Sequence, residues 1–136
     1  MARLAQVKET DPKKRLVALL EAALTPYIQT CLEEEGRLYV RFCVQLFTNS
    51  RFNPATIIQE AGAESVNVLR AQVIECLDGL PEKVLVRRLR HGLLISLLQA
   101  DDYARQVEDG TAPPVEETIV EFAVSLAGYL SAPTEA

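Results

Sequence analysis

Tryptophan is absent from this chain, histidine and methionine occur once each, and aromatic residues make up only 6% of the 136 residues. A core must therefore come from aliphatic side chains, and His91 alone is available as a histidine base or imidazole ligand. Cys31, Cys43 and Cys76 are an odd set with no C-x-x-C pair. That spacing argues against a disulfide framework and supplies no zinc-ligand set, so the thiols read as small buried groups in a reducing cytosol, with no metal or cofactor expected. Basic residues are the minority charge, 14 Lys and Arg against 19 Asp and Glu, for a net charge of −5. Such a field repels a phosphate backbone, so the chain by itself is a poor nucleic-acid binder. No apolar run approaches the ~20 residues that cross a bilayer. The longest, Gly92 to Leu98, already contains Ser96, and the charged start MARLAQVKETDPKK has no apolar targeting core. A cytoplasmic protein without membrane contact is expected.

What is present is enough for one domain. The hydrophobic fraction of 49% and the charged fraction of 24% are ordinary for a folded protein. At this length roughly two-thirds of the unfolded surface can be buried, which allows one core. Residues 1–136 are read as a single domain.

Helical periodicity dominates. After Asp11-Pro12, the residues Leu16, Leu20, Ala23, Leu24, Tyr27, Ile28, Cys31 and Leu32 recur at three and four, and Gly36 is read as the helix stop. Pro26 lies inside this helix, removes the donor for the Ala22 carbonyl, and predicts a kink with space beside it. RLYVRFCVQLF has strand-like composition, but Arg37, Arg41, Gln45 and Asn49 are four apart, which gives a helix with one wet stripe. A third helix is marked by Ile58, Ala61, Gly62, Ser65, Leu69, Val73, Cys76 and Leu77 and stops at Asp78-Gly79. A fourth runs from Pro81 to about Val107, an acidic loop spans Glu108 to Pro113, and residues 114 to 131 form the last. The expectation is an all-α, five-helix bundle.

Motifs of catalysis are missing: there is no G-x-S-x-G, P-loop, G-x-G-x-x-G or H-E-x-x-H. Asp101-Asp102 and Glu33 to Glu35 read as solvated helix ends. Arg87, Arg88 and Arg90, without interleaved aromatics, read as partners for Glu82, Glu116 or Glu121, or as long stems covering apolar surface. The chain is not expected to be an enzyme.

The last two helices carry surplus apolar surface. Leu93, Leu94, Ile95, Leu97 and Leu98 point all ways round, while Gly92, Ser96 and Ala100 form a small-residue line. The final helix has two apolar stripes, one of Ile119, Phe122, Ala123, Leu126 and Leu130, the other of Val120, Val124 and Ala127. Soluble monomers rarely expose such patches. A symmetric dimer through a four-helix bundle would cover them, with Leu89, Gly92, Leu93, Ser96, Leu97, Ala100, Ile119, Phe122, Ala123, Leu126 and Leu130 as its expected interface.

DPKKRLVALLEAAL, a hydrophobic helix, a long helix ending in LDGLPEKVLVRRLRHGLLISLLQADDYARQ, an acidic loop and VEETIVEFAVSLAGYL together resemble the C-terminal domain of tetracycline-repressor-like (TetR) transcription regulators, from Met1 to about Ser131. The resemblance implies a homodimer joined through its last two helices, with a small-molecule effector bound inside the helical domain. It also implies DNA contact only through a separate N-terminal helix-turn-helix, which this chain lacks, so a fragment of a longer regulator is expected. A cavity near Pro26 is expected to be lined by Tyr27, Cys31, Tyr39, Phe42, Cys43, Phe47, Ile58 and Ile95, edged by His91, and suited to a lipophilic effector. The alternative reading is an all-α adaptor that takes a partner helix on the same apolar patch and binds no small molecule.

Overall fold

The computed structural model describes residues 10–49 and 64–134. These contain five α-helices and no strand, so the all-α bundle is the observed fold. They are α1 (Pro12–Thr30), α2 (Glu34–Thr48), α3 (Glu64–Cys76), α4 (Glu82–Asp109) and α5 (Val115–Ser131).

Asp11 starts α1 by accepting from the Lys13 amide at 3.0 Å, with Pro12 in the first turn where its missing N–H costs nothing. The helix continues through Pro26, which is exposed. It ends at Thr30, six residues before the expected stop at Gly36. Gly36 instead sits buried in the first turn of α2, where a Cβ would collide with the Thr30 carbonyl oxygen. Its role is close approach of two helices, and not a left-handed cap. A true left-handed cap occurs at Gly110, φ 73°, where the Gly110 and Thr111 amides donate back to the Val107 and Gln106 carbonyls and end α4.

The core is built on α1. Leu16, Leu19, Leu20, Leu24 and Ile28 are all buried, and each side chain contributes about 2 kcal/mol of burial. The most extensive helix contact is between α1 and α5, and α2 packs chiefly on α4. From α5 the core receives Ile119, Ala123, Leu126, Ala127 and Leu130, and from α4 it receives Ala100, Tyr103 and Ala104. Val40, Val73 and Leu77 close it. Tyr103, only 1% exposed, spends its hydroxyl on the Pro113 carbonyl at 3.0 Å and so ties the α4–α5 loop to α4.

Of the stripe expected to be wet on α2, Gln45 and Asn49 are exposed, but its arginine half is turned inward. Arg37 and Arg41 face α4, where both reach the Glu108 carboxylate, at 3.5 and 2.8 Å, and Arg37 also donates to the Cys31 carbonyl. Leu38, Tyr39 and Phe42 are the outward residues, each more than half exposed. The reason is the buried pair Val40 and Cys43, which fixes the helix rotation and brings the arginines to the seam.

Candidate functional site

Of the residues expected to line an effector cavity, Tyr27, Tyr39 and Cys43 come together where the end of α1 meets α2. Tyr39 lies in hydrogen-bonding reach of the Cys43 sulfur, and this contact, followed by the nearby thiol charge and burial, raises its phenol pKa. Burial, then the Cys43 charge, raises Tyr27, and burial raises Cys43 while Tyr39 pulls it back down. All three groups are therefore neutral near pH 7, an apolar surface with three weak hydrogen-bonding heads. Phe42 flanks them on the exposed side of α2, and Phe47 is half-buried near its end.

The other expected walls do not join this group. Cys31 is fully buried and reaches α4, its sulfur 3.2 and 3.4 Å from the Tyr27 and Ala100 carbonyls, which share its single S–H. Burial pushes that thiol up to about 11, a rise that Arg37 opposes and Asp101 reinforces. Ile95 packs against the core from α4. His91 faces α5, its Nδ1 3.2 Å from the Tyr129 hydroxyl. Ile58 lies outside the described residues. What the structure presents is thus an open aromatic face on α1 and α2.

The expected dimer residues need a sharper correction. Gly92, Leu97, Ala100, Ile119, Ala123, Leu126 and Leu130 are buried inside this chain, and Leu89 and Phe122 pack partly against the same core. Leu93 and Ser96 are half-buried, with the Ser96 hydroxyl turned back to the Gly92 carbonyl. The small residue at Gly92 serves Leu130 and Leu126, which would lie 3.2 and 3.7 Å from an added Cβ. The buried residues among these are already covered within the chain, whereas Leu89, Leu93, Ser96 and Phe122 stay partly exposed. The outward apolar residues of the last two helices are Val86 and Leu98 on α4, and Val120, Val124 and Tyr129 on α5. Of the two stripes on α5, α1 takes the first, and Val120 and Val124 of the second are left in solvent.

Two shallow hollows lie beside these side chains. One, of about 320 Å³, runs between α4 and α5 and is lined by Asp102, Gln106, Pro113, Glu117, Thr118, Glu121 and Phe122. The other, of about 480 Å³, opens over α5 above Val120 and Val124, with Glu116, Glu117 and Glu121 around it. Among the described residues no cluster of three or more His, Cys, Asp or Glu is arranged to hold a metal ion. Nor is any helix of the described residues long and apolar enough to cross a membrane.

The basic cluster divides by function. Arg88 is half-buried and donates to the Leu130 carbonyl at 3.0 Å and to the Ala132 carbonyl, at the negative end of α5. Arg87 and Arg90 are exposed. The expected partners Glu116 and Glu121 belong to the opposite end of α5 from Arg88. Asp101, read as solvated, is only 9% exposed; Arg105 donates to one of its oxygens at 3.2 Å, and the other is buried without a hydrogen-bond partner.

No protein-family model, curated protein or solved structure matches the chain.

Proposed function

We propose that this chain is the effector-binding and dimerisation domain of a TetR-like transcription regulator, a non-enzymatic module that pairs with a second copy and takes a lipophilic small molecule. The observation that carries the reading is the outward apolar surface of the last two helices. Leu98, Val120 and Val124 are about half exposed although the chain already fills a core with Leu16, Leu19, Ile28 and Ala123. A second support is the resemblance in helix order and apolar spacing, and a third is the aromatic face of Tyr27, Tyr39 and Phe42, which suits an apolar compound. With a net charge of −5 the chain itself leaves DNA contact to a separate helix-turn-helix.

Effector binding is tested with 1-anilinonaphthalene-8-sulfonate as the probe. The dye should bind saturably to the native protein, and Tyr39→Ala with Phe42→Ala should weaken it about tenfold, as expected for removing aromatic contact from an apolar site. An unchanged isotherm in that double variant would exclude the α1–α2 face. The adaptor reading draws on the same outward apolar surface of the last two helices, Leu98, Val120 and Val124. It would be favoured by a monomer that binds an amphipathic helical peptide and ignores small apolar compounds.

A further inference from the structure

The two ends of the helical bundle differ in charge. Arg15, in the first turn of α1, pairs with Glu75 at the end of α3 at 3.0 Å, and the short turn after α3 leads directly into α4. Arg88, near the start of α4, donates to the Leu130 carbonyl at the end of α5. The starts of α1 and α4 therefore share one end of the bundle with the ends of α3 and α5. The opposite end gathers the start of α2 and the end of α4, joined by Arg37 and Glu108, with the start of α5 one loop beyond.

At the first end Lys13, Lys14, Lys83, Arg87 and Arg90 are exposed, and among the described residues none of their side chains is in an ion pair. They outnumber the exposed acids of that end, Asp11, Asp78 and Glu82. At the second end Glu33, Glu34, Glu35, Asp102, Glu116 and Glu117 are exposed. The arginines there are already taken, Arg37 and Arg41 by Glu108 and Arg105 by Asp101. The net charge of −5 thus combines a basic end with a more strongly acidic one. Lys83 and Glu108 are about 37 Å apart along α4 at ~1.5 Å per residue. That is more than four screening lengths of ~8 Å, so the acidic end does not cancel the basic one at its own surface.

The cations are arranged to meet a line of negative charge. Lys83, Arg87 and Arg90 stand at i, i+4 and i+7 on α4, which sets all three on one face. They span about 10 Å at ~1.5 Å per residue, three steps of a duplex strand at ~3.4 Å each. Lys13 and Lys14 occupy the first turn of α1, where the helix dipole favours acids, and α2, α4 and α5 place Glu34, Glu82 and Glu116 there instead. The two lysines stand against a local electrostatic cost that an anion outside the chain would offset. Of the large apolar side chains, those exposed at this end are Val86 and Tyr129, the latter engaged with His91. Leu32, Leu38, Tyr39 and Phe42 are exposed toward the other end. A membrane surface or a protein interface needs apolar or aromatic anchors, and a single strand needs aromatic platforms for its bases. A duplex backbone is held by charge alone.

We propose that the basic end of the bundle docks on the phosphate backbone of double-stranded DNA, without regard to sequence, through Lys13, Lys14, Lys83, Arg87 and Arg90. The inference is separate from effector binding and pairing, and it adds a backbone contact to the specific contacts left to a helix-turn-helix. The same polyanion repels the acidic end, so the chain approaches with its basic end first. Three acids among five cations keep the affinity low and strongly dependent on salt.

Fluorescence anisotropy of a labelled duplex of about 20 base pairs, titrated with the whole chain in about 20 mM salt, tests this. Two duplexes of unrelated sequence should bind equally, and log affinity should fall with log salt at a slope of about −4 to −5 per bound chain. Arg87→Ala with Arg90→Ala should make that slope shallower by about 2 and keep the wild-type melting temperature, since both side chains are exposed. Arg87→Glu with Arg90→Glu should weaken binding at least about tenfold. Glu116→Gln with Glu117→Gln removes two negative charges at the acidic end and should leave affinity within about twofold of wild type. A gain there as large as the loss in the Arg87→Ala, Arg90→Ala chain makes net charge responsible and overturns the inference. Absence of duplex binding, an isotherm indifferent to salt, or unequal affinity for the two sequences also overturns it and leaves effector binding and pairing standing. A chain that prefers single-stranded DNA of the same length, or vesicles rich in phosphatidylserine, gives the basic end another partner and overturns the assignment to a duplex.

Discussion

Arg88, near the start of α4, closes the far end of α5 by donating to the carbonyl of Leu130 at 3.0 Å. The same guanidinium reaches the Ala132 carbonyl beyond the helix end. The last four carbonyls of a helix lack intrahelical partners and carry its negative pole, so a half-buried guanidinium there is both a hydrogen-bond donor and a complementary charge. One side chain thereby sets where α5 ends relative to α4, and with it the alignment of the outward residues on the two helices.

Removing that side chain should be costly for a residue on the surface-facing half of a helix. Arg88→Ala is expected to lower stability by about 1–2 kcal/mol, the range for charge-assisted hydrogen bonds to a helix terminus. In a domain of this size that is a fall of roughly 3–8 °C in melting temperature. Arg87→Ala and Arg90→Ala, which are exposed, should fall within about 0.5 kcal/mol of wild type. Equal losses for all three in thermal unfolding would show that the contact to α5 is not what distinguishes Arg88.

Two glycines predict opposite outcomes for the same substitution. At Gly36 an added Cβ would run into the Thr30 carbonyl oxygen, which is backbone and cannot swing aside. Gly36→Ala should therefore cost more than about 2 kcal/mol, since the first turn of α2 must move off the end of α1. Gly128→Ala meets open space and gains helix propensity, so its isolated chain should be more stable by about 0.5–1 kcal/mol. Denaturant unfolding at concentrations low enough to avoid self-association reads both, and a stabilising Gly36→Ala would refute the close contact.

These two positions also show which parts of the structure the residues announced. The start of α1 was legible because Asp11-Pro12 is a local signal, and the apolar spacing of Leu16, Leu20, Leu24 and Ile28 marks its buried side whatever packs there. Gly36 looked like a helix stop because a glycine after three glutamates fits that role equally well. Its actual role depends on Thr30 in another helix. The rotation of α2 was hidden for a similar reason: Arg37 and Arg41 resemble a solvated stripe, and the Glu108 that draws Arg41 inward is 67 residues away. On α5 the two apolar stripes are nearly equal in composition. Only the docking of α1 decides that Ile119, Ala123, Leu126 and Leu130 go inside and that Val120 and Val124 stay out. Of the expected effector walls, Tyr27, Tyr39 and Cys43 do meet, because they flank one short helix connection, while His91 and Ile95 belong to surfaces set by α5 and the core.

The thiol of Cys31 makes stability fall in alkali. Its pKa is raised from 9.0 to about 11, by burial first. Between those values the unfolded chain has lost the proton and the folded chain keeps it, so the unfolded state binds fewer protons and stability declines as pH rises. The contribution is intact below about pH 9 and lost progressively as pH approaches 11, to a total of about 2–3 kcal/mol. Tyr27, Tyr39 and Cys43 are raised as well and add to the decline in the same direction. Cys31→Ala isolates one part of it: urea unfolding at pH 8 and pH 10.5 should show a smaller loss in the variant than in wild type. Parallel losses would mean that the buried thiol does not ionise on unfolding in this window.

Glu108 is the single carboxylate that receives both Arg37 and Arg41, and the three side chains are between 16% and 41% exposed. Partial burial matters to the outcome. Exposed ion pairs are worth about 0–1 kcal/mol because solvent screens them, but removing a shared partner leaves two partly desolvated guanidinium groups facing each other. The Nε atoms of both arginines are buried without hydrogen-bond partners, although another nitrogen of Arg37 donates to the Cys31 carbonyl at 3.0 Å. Glu108→Gln should therefore cost about 1–2 kcal/mol, more than Arg41→Ala, which leaves Glu108 still engaged with Arg37. In the background of Arg37→Ala with Arg41→Ala, the Glu108→Gln change should become nearly neutral, because the repulsion it exposes is gone. A double-mutant cycle by chemical denaturation measures that coupling. If Glu108→Gln costs the same with and without the arginines, its effect comes from the end of α4 alone, and the apolar core that includes Val40 and Ala104 joins α2 to α4 without help from charge.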